Sequence, residues 1–246
     1  MKRVMLTVAY DGTNYHGWQL QPNVPTIESV LNEKLSGLLK EEIKVIGASR
    51  TDTGVHALGN IAVFDTTARM PADKISYALN QRLPADIRIQ SSCEVAQDFH
   101  PRHQTSKKTY EYKILNSAFP IPVYRLYTHF TYVPLDVAKM QKAAAHLVGE
   151  HDFKSFCSVN TTVETSVRTI YELTVEKSQD IITIRVTGSG FLYNMVRIIA
   201  GTLIEAGRGS LNPDAMPDIL NACDRAKAGP TAPACGLTLV KYEFFV

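Results

Sequence analysis

The sequence predicts a mixed α+β fold in two domains. Three features of the chain lead there. Short runs rich in β-branched residues recur at 4–10, 43–46, 61–64, 87–95 and 109–114, several with apolar residues at every second position. Between them, Ile27, Val30, Leu31, Leu35, Leu38 and Leu39 repeat at helical spacing. A polar, basic stretch from Asp98 to Lys108 then breaks both patterns, which puts the boundary between domains 1–105 and 106–246. A chain of 246 residues is long for one core and comfortable for two.

In chain order, Val4–Tyr10 is the first strand and ends in the turn-rich segment Asp11–Gln19, which holds the only tryptophan, Trp18. Thr26 reads as the N-cap of the first helix. Ile43–Ile46 and Ile61–Phe64 are the next strands, with 47–60 as the loop between them. Pro71 opens a second helix running to about Leu83, since proline suits a first turn. Ile87–Val95 returns as a strand. The order β-α-β-β-α-β is the split βαβ, ferredoxin-like or RRM-like pattern.

In the second half, Thr109–Ile114 alternates as a strand, with Tyr110, Tyr112 and Ile114 on one face. Leu135–Val148 is a helix, Ser158–Ser166 a loop, and Arg168–Glu176 pairs with Ile181–Thr187 across Lys177–Asp180. Phe191–Glu205 is apolar on nearly every side and so central to the second core. Asn212-Pro213 starts a short helix, and Leu237–Val246 closes as a strand. The second half repeats the β/α layering without sequence self-similarity.

Composition excludes several classes. With 45% hydrophobic and 20% charged residues, the chain is that of an ordinary soluble protein. A net charge of +2 gives no global attraction to nucleic acid, so any RNA footprint must come from local clusters of Arg and Lys. Cys93, Cys157, Cys223 and Cys235 are far apart and read as reduced thiols. The apolar run at the start is too short for a signal-peptide core, and no run reaches transmembrane length. The expected location is the cytoplasm. His100 and His103 have no Cys or second cluster to complete a metal site, so 98–108 reads as a basic connector.

Chemistry concentrates in Gly47-Ala48-Ser49-Arg50-Thr51-Asp52-Thr53-Gly54-Val55-His56-Ala57-Leu58-Gly59-Asn60. Asp52 sits near the crest, two residues before a glycine free to take positive φ. An isolated Asp-x-Gly would be an aspartate bonding its own turn. This loop is longer than a hairpin needs, however, and carries Arg, Asp and His between rigid flanks. Arg197 is the second informative residue, flanked by Val196 and Ile198 in the apolar helix. A guanidinium there is costly unless neutralised. Gly190, Asn194, Arg197 and Gly201 make a polar, small-residue stripe. Either that stripe faces a cleft and Arg197 pairs with Asp52, or Arg197 reaches the surface or pairs within its own domain.

Arg50-Thr51-Asp52-x-Gly54-Val55-His56-Ala57 resembles the catalytic motif of the tRNA pseudouridine synthase A family. So do Tyr10-Asp11-Gly12, His16-Gly17-Trp18-Gln19, Phe99-His100-x-Arg102, Phe191-Leu192-Tyr193-x-Met195-Val196-Arg197 and Ala232-Pro233-Ala234-x-Gly236-Leu237 resemble its other segments. The departures are Ser49, where the family often has glycine, Pro101 for alanine, Asn194 for histidine, and Cys235. The resemblance implies two ferredoxin-like domains whose antiparallel sheets meet at an active-site cleft. It implies isomerisation of uridine to pseudouridine at positions 38, 39 and 40 of the tRNA anticodon stem-loop, without cofactor or metal, by a homodimer that grips tRNA.

Carried over residue by residue, it makes Asp52 catalytic, Tyr110 the active-site tyrosine, Arg50 the residue that flips the base, Arg197 the contact of the catalytic aspartate, and Leu237 a packing surface for the base. The reaction breaks N1–C1′, rotates the uracil and joins C5 to C1′, which needs neither redox change nor energy input. One ionised carboxylate serves, as nucleophile or as base toward the ribose, and a paired arginine favours the ionised form. A glycosidase would want two carboxylates flanking the bond. An RNA-binding module without catalysis would gain nothing from a carboxylate facing phosphate.

Overall fold

The computed structural model describes residues 1–158 and 164–245. Among them are ten strands and five α-helices, and the chain divides into two compact units. The first is Met1–Ser106 together with the chain from Leu239 on; the second is Lys107–Thr238. The span assigned to the second half therefore stops short of the C-terminus. The cause is packing: Tyr242 buries with Ala48 and Ile61 against Met5, and its hydroxyl donates to the Pro101 carbonyl at 3.0 Å.

The first unit runs β1 (Lys2–Tyr10), α1 (Ile27–Leu39), β2 (Ile46–Gly47), β3 (His56–Thr66), α2 (Ala72–Asn80) and β4 (Ile87–Val95). Its sheet has the order β4-β1-β3, all antiparallel, with β2 on β3, which is the split βαβ arrangement. Alternate residues Val4, Leu6, Val8 and Tyr10 of β1 are buried, as the period-two pattern requires. The opposing face of α1 supplies Ile27, Leu31, Leu35 and Leu39. Thr26 caps α1 reciprocally with Ser29: its hydroxyl accepts from Ser29 N–H, and Ser29 Oγ accepts from Thr26 N–H.

Two expectations shift at the loop flanks. Ile43 and Val45 are buried, but 43–45 is not a strand, because α1 side chains take up its backbone N–H groups: Ser36 Oγ accepts from Ile43 N–H and Asn32 Oδ1 from Val45 N–H. Strand β3 begins at His56 rather than Ile61, so its first residues lie inside the stretch read as loop. Helix α2 has Pro71 as its N-cap and ends at Asn80; Gln81–Leu83 continue as a tight turn closed on the Leu79 carbonyl.

The second unit contains β5 (Ser106–Asn116), β6 (His129–Thr131), α3 (Val137–Ala145), β7 (Gly149–Asp152), β8 (Val167–Ser178), β9 (Ile181–Gly188), α4 (Met195–Arg208) and α5 (Met216–Ala222), and is followed by β10 (Leu237–Phe244), whose later residues lie beside β3 in the first unit. Here the order is β5-β9-β8-β7, with β6 parallel on β5. Tyr110, Tyr112 and Ile114 face Val186, Ile184 and Ile182 in register. The loop expected at 158–166 falls mostly outside the described residues. Helix α4 starts at Met195, not Phe191, and is buried on almost every side. No helix among the described residues is long and apolar enough to cross a membrane.

Candidate active site

The loop between β2 and β3 begins by imitating a strand. Ile46 and Gly47 pair with Val63 and Ala62, and Ala48 N–H donates to the Ile61 carbonyl at 2.8 Å. At the next position the side chain of Asn60 replaces the partner strand. Its Oδ1 accepts from Ser49 N–H at 3.2 Å and its Nδ2 donates to the Ser49 carbonyl at 2.9 Å. The same amide accepts from Ile61 N–H and donates to the Tyr10 hydroxyl, so all four of its hydrogen-bonding positions are used in full burial. The ladder thus passes from peptide groups to a side-chain amide, and the chain is released at Arg50.

Beyond Arg50 the chain is pinned again at once. The Thr51 hydroxyl and the Tyr10 hydroxyl lie 2.7 Å apart, and the Thr51 carbonyl accepts from Trp18 N–H at 3.0 Å. Burial pushes the Tyr10 phenol far above its ordinary range, against the opposing pull of Thr51 and Asn60, so it remains a neutral bonding group. Asp52, half-buried, accepts at its carbonyl from Val55 N–H at 3.1 Å, closing a turn in which Gly54 takes φ +76°.

The Asp11–Gln19 segment forms the bed of this loop. A Cβ on Gly12 would lie 2.1 Å from the Val55 carbonyl oxygen, and one on Gly17 2.5 Å from that of Thr51. Gly17 also has φ +83°, so its glycine is needed twice over. His56 Nδ1 accepts from Gly12 N–H at 3.1 Å and lies 3.1 Å from Asp11 Oδ1. On the other side, a Cβ on Gly47 would meet the Trp18 indole at 2.2 Å, and Arg102 Nε donates to the Gly47 carbonyl at 2.8 Å. Family segments that looked separate in the sequence are therefore the supports of one loop.

Arg50 points outward from this frame and is exposed. It lies close enough to Arg102 that, after burial, its charge is the main influence holding the Arg102 guanidinium below its usual range. Within the stretch 98–108 read as a basic connector, the His100 and His103 rings stack with centroids 3.9 Å apart. Burial and the neighbouring cations, His103 first, lower the His100 pKa.

The remaining predicted residues lie in the second unit. Tyr110 in β5 is 8% exposed and stands edge-on to Phe191, ring centroids 5.3 Å apart. Tyr112 is fully buried and donates to the Pro233 carbonyl at 2.9 Å, which makes it a packing residue. Arg197, in the first turn of α4, donates from Nε to the Ala232 carbonyl at 2.8 Å and from Nη1 to Asn194 Oδ1 at 2.9 Å. Leu237 is buried at the start of β10. Asp52 and Arg50 thus belong to one unit, and Tyr110, Arg197 and Leu237 to the other.

Sequence reasoning missed Asn60, Tyr10 as a bonding partner, and the Arg102 anchor. Asn60 carried the one available signal, an amide at the head of an inward apolar strand.

Comparison with known proteins bears on the whole chain. A family model described as tRNA pseudouridine synthase matches residues 6–104 and 143–244. A tRNA pseudouridine synthase A of Thermoanaerobacter sp. (strain X514) is 48% identical over 241 residues, covering 98% of this chain and 99% of that protein. Its counterpart in Acetivibrio thermocellus is 48% identical over 244 residues, covering 99% and 100%. That of Ruminiclostridium cellulolyticum is 49% identical over 245 residues, again covering 99% and 100%. With a family model over most of its length and relatives matched end to end, the chain belongs to the tRNA pseudouridine synthase family and is an isomerase.

Proposed function

We propose that this enzyme converts uridine to pseudouridine at positions 38, 39 and 40 of the tRNA anticodon stem-loop, with Asp52 as its one catalytic carboxylate. The observation that carries the reading is the support of the 48–55 loop. Ser49 is held by the Asn60 amide, Thr51 by the Tyr10 hydroxyl and by Trp18 N–H, and Gly54 N–H by the Tyr15 carbonyl, while Asp52 itself stays half-buried. A group held this way loses little freedom on reaching its reactive geometry.

The chemistry follows from one charge. The carboxylate of Asp52 attacks C1′, or removes a ribose proton, and the N1–C1′ bond breaks. The freed uracil turns and C5 joins C1′, displacing the aspartate oxygen on the first route or with the ribose proton returned on the second; C5 loses its proton and N1 gains one, so the RNA keeps its mass. Arg197 pairs with Asp52 and keeps it ionised. The target uridine leaves its stack, at about a few kcal/mol, and Arg50 occupies the space it vacates. Tyr110 and Leu237 hold the extruded base. The protein works as a homodimer that spans the tRNA, a state that light scattering would read as twice 27.3 kDa.

Asp52→Asn is the decisive variant. Carbodiimide mapping of treated tRNA is expected to show no pseudouridine in the anticodon arm, while tRNA still binds in a filter assay. Pseudouridine formed at the wild-type rate by this variant would remove the proposal. Release of free uracil by the wild type would make the enzyme a glycosidase instead.

A further inference from the structure

Asn194 stands directly before α4, and the structure gives it specific work. Its backbone is left-handed, φ 60° and ψ 7°, immediately before α4. That conformation is unfavourable for most residues and least so for asparagine among those with a side chain. Asparagine at this position ordinarily caps the first turn of the helix through its side chain. Here the side chain makes no capping bond. It turns instead to two other residues: Nδ2 donates to Ser158 Oγ at 2.9 Å, and Oδ1 accepts from Arg197 Nη1 at 2.9 Å. Arginine can only donate, so the amide oxygen must face Arg197 and the amide nitrogen Ser158.

The other side of the guanidinium is gripped as firmly. Arg197 Nε donates to the Ala232 carbonyl, and Ala232 N–H donates back to the Arg197 carbonyl at 3.1 Å. This segment can approach α4 because residue 201 is glycine, where a Cβ would lie 1.8 Å from the Pro230 carbonyl oxygen. A guanidinium is planar, so fixing Nε and Nη1 also fixes the direction of Nη2.

We infer that Asn194 is a positioning residue: with Ser158 behind it, its amide aims the Arg197 guanidinium for the reaction. The inference rests on the reading of Arg197 as the cation that serves Asp52. The Ala232 carbonyl and the Asn194 amide oxygen are neutral acceptors, and together they orient the guanidinium.

The test is a double-mutant cycle on the full-length enzyme with a tRNA substrate, read as single-turnover rate and KM. Asn194→Gly keeps the left-handed backbone and deletes the amide. It is expected to lower the rate about tenfold, with KM changed less than about threefold, because misaiming a reacting group costs rate rather than affinity. The acid limb of its pH–rate profile should move to higher pH, since a loosened cation stabilises the carboxylate less. Ser158→Ala should move rate and profile in the same direction by less. In an Arg197→Met background, Asn194→Gly should add nothing, because it acts only through Arg197. Thermal denaturation of each variant identifies any that fails to fold, and the Ser158→Ala result stands if one does. Wild-type rate in Asn194→Gly, or an undiminished loss in the Arg197→Met background, overturns the inference. If Arg197→Met itself turns over like wild type, the reading of Arg197 has failed and the inference fails with it.

Discussion

Asn60 shows how much a single amide can decide. Without it, Ser49 N–H and C=O and the Tyr10 hydroxyl would be buried with a partner missing, each a cost of about 1–3 kcal/mol. The loop would also lose the point from which it departs toward Asp52. Asn60→Ala is therefore expected to destabilise the first unit by about 3 kcal/mol or more, read as a lower urea midpoint at unchanged slope. Turnover should fall even where the variant is still folded. A variant with the wild-type midpoint would mean that water replaces the amide. The role of Asn60 was not legible from periodicity, since a side chain that completes a strand ladder leaves none. Asp52 drew attention because arginine, carboxylate and glycine share one loop, and it lies half-buried in a turn with Gly54. Asn194 was read as a departure and as part of a polar stripe with Arg197, but its partner Ser158 is far off in the chain.

At the scale of elements, periodicity served where a segment packs by one face. Helix α1, strand β4 and the β8–β9 hairpin lie within a few residues of where the sequence puts them. It failed at Ile43–Val45, whose apolar residues are buried as in a strand while side chains of α1 take up the backbone groups. It also failed at the head of β3, where Gly59 and Asn60 break the apolar run although the backbone stays extended. The capping of α1 gives an element-scale prediction. Thr26→Ala removes one half of a reciprocal cap and should cost about 1 kcal/mol, lowering the melting temperature by a few degrees. Gly47→Ala should be far worse, because its Cβ has nowhere to go but into the buried Trp18 indole. A soluble, fully active Gly47→Ala enzyme would show that Trp18 can move aside.

At the scale of the first unit as a whole, one ion pair ties its two ends of sequence together. Arg3 in β1 stands opposite Asp65 in β3 and donates twice to it, Nε to Oδ1 at 2.8 Å and Nη2 to Oδ2 at 2.7 Å. Its remaining nitrogen, Nη1, donates to the Phe99 carbonyl at 2.9 Å, where the chain leaves the sheet for the connector that anchors the Asp52 loop. The hydrogen bonds from Arg3 are the main cause that holds the Asp65 carboxyl below its ordinary value. A depressed folded pKa means that the pair contributes fully above the unfolded value, about 3.9, and is lost as pH falls through the folded one. Both groups are partly solvated, which keeps the contribution to about 1 kcal/mol. Asp65→Asn should thus melt lower than wild type by a constant margin between about pH 5 and 7, and that margin should close below about pH 4. Melting curves across this range decide it. A margin that persists unchanged into acid would assign the difference to packing, leaving the Arg3–Asp65 charge pair without a part in holding the sheet to the connector.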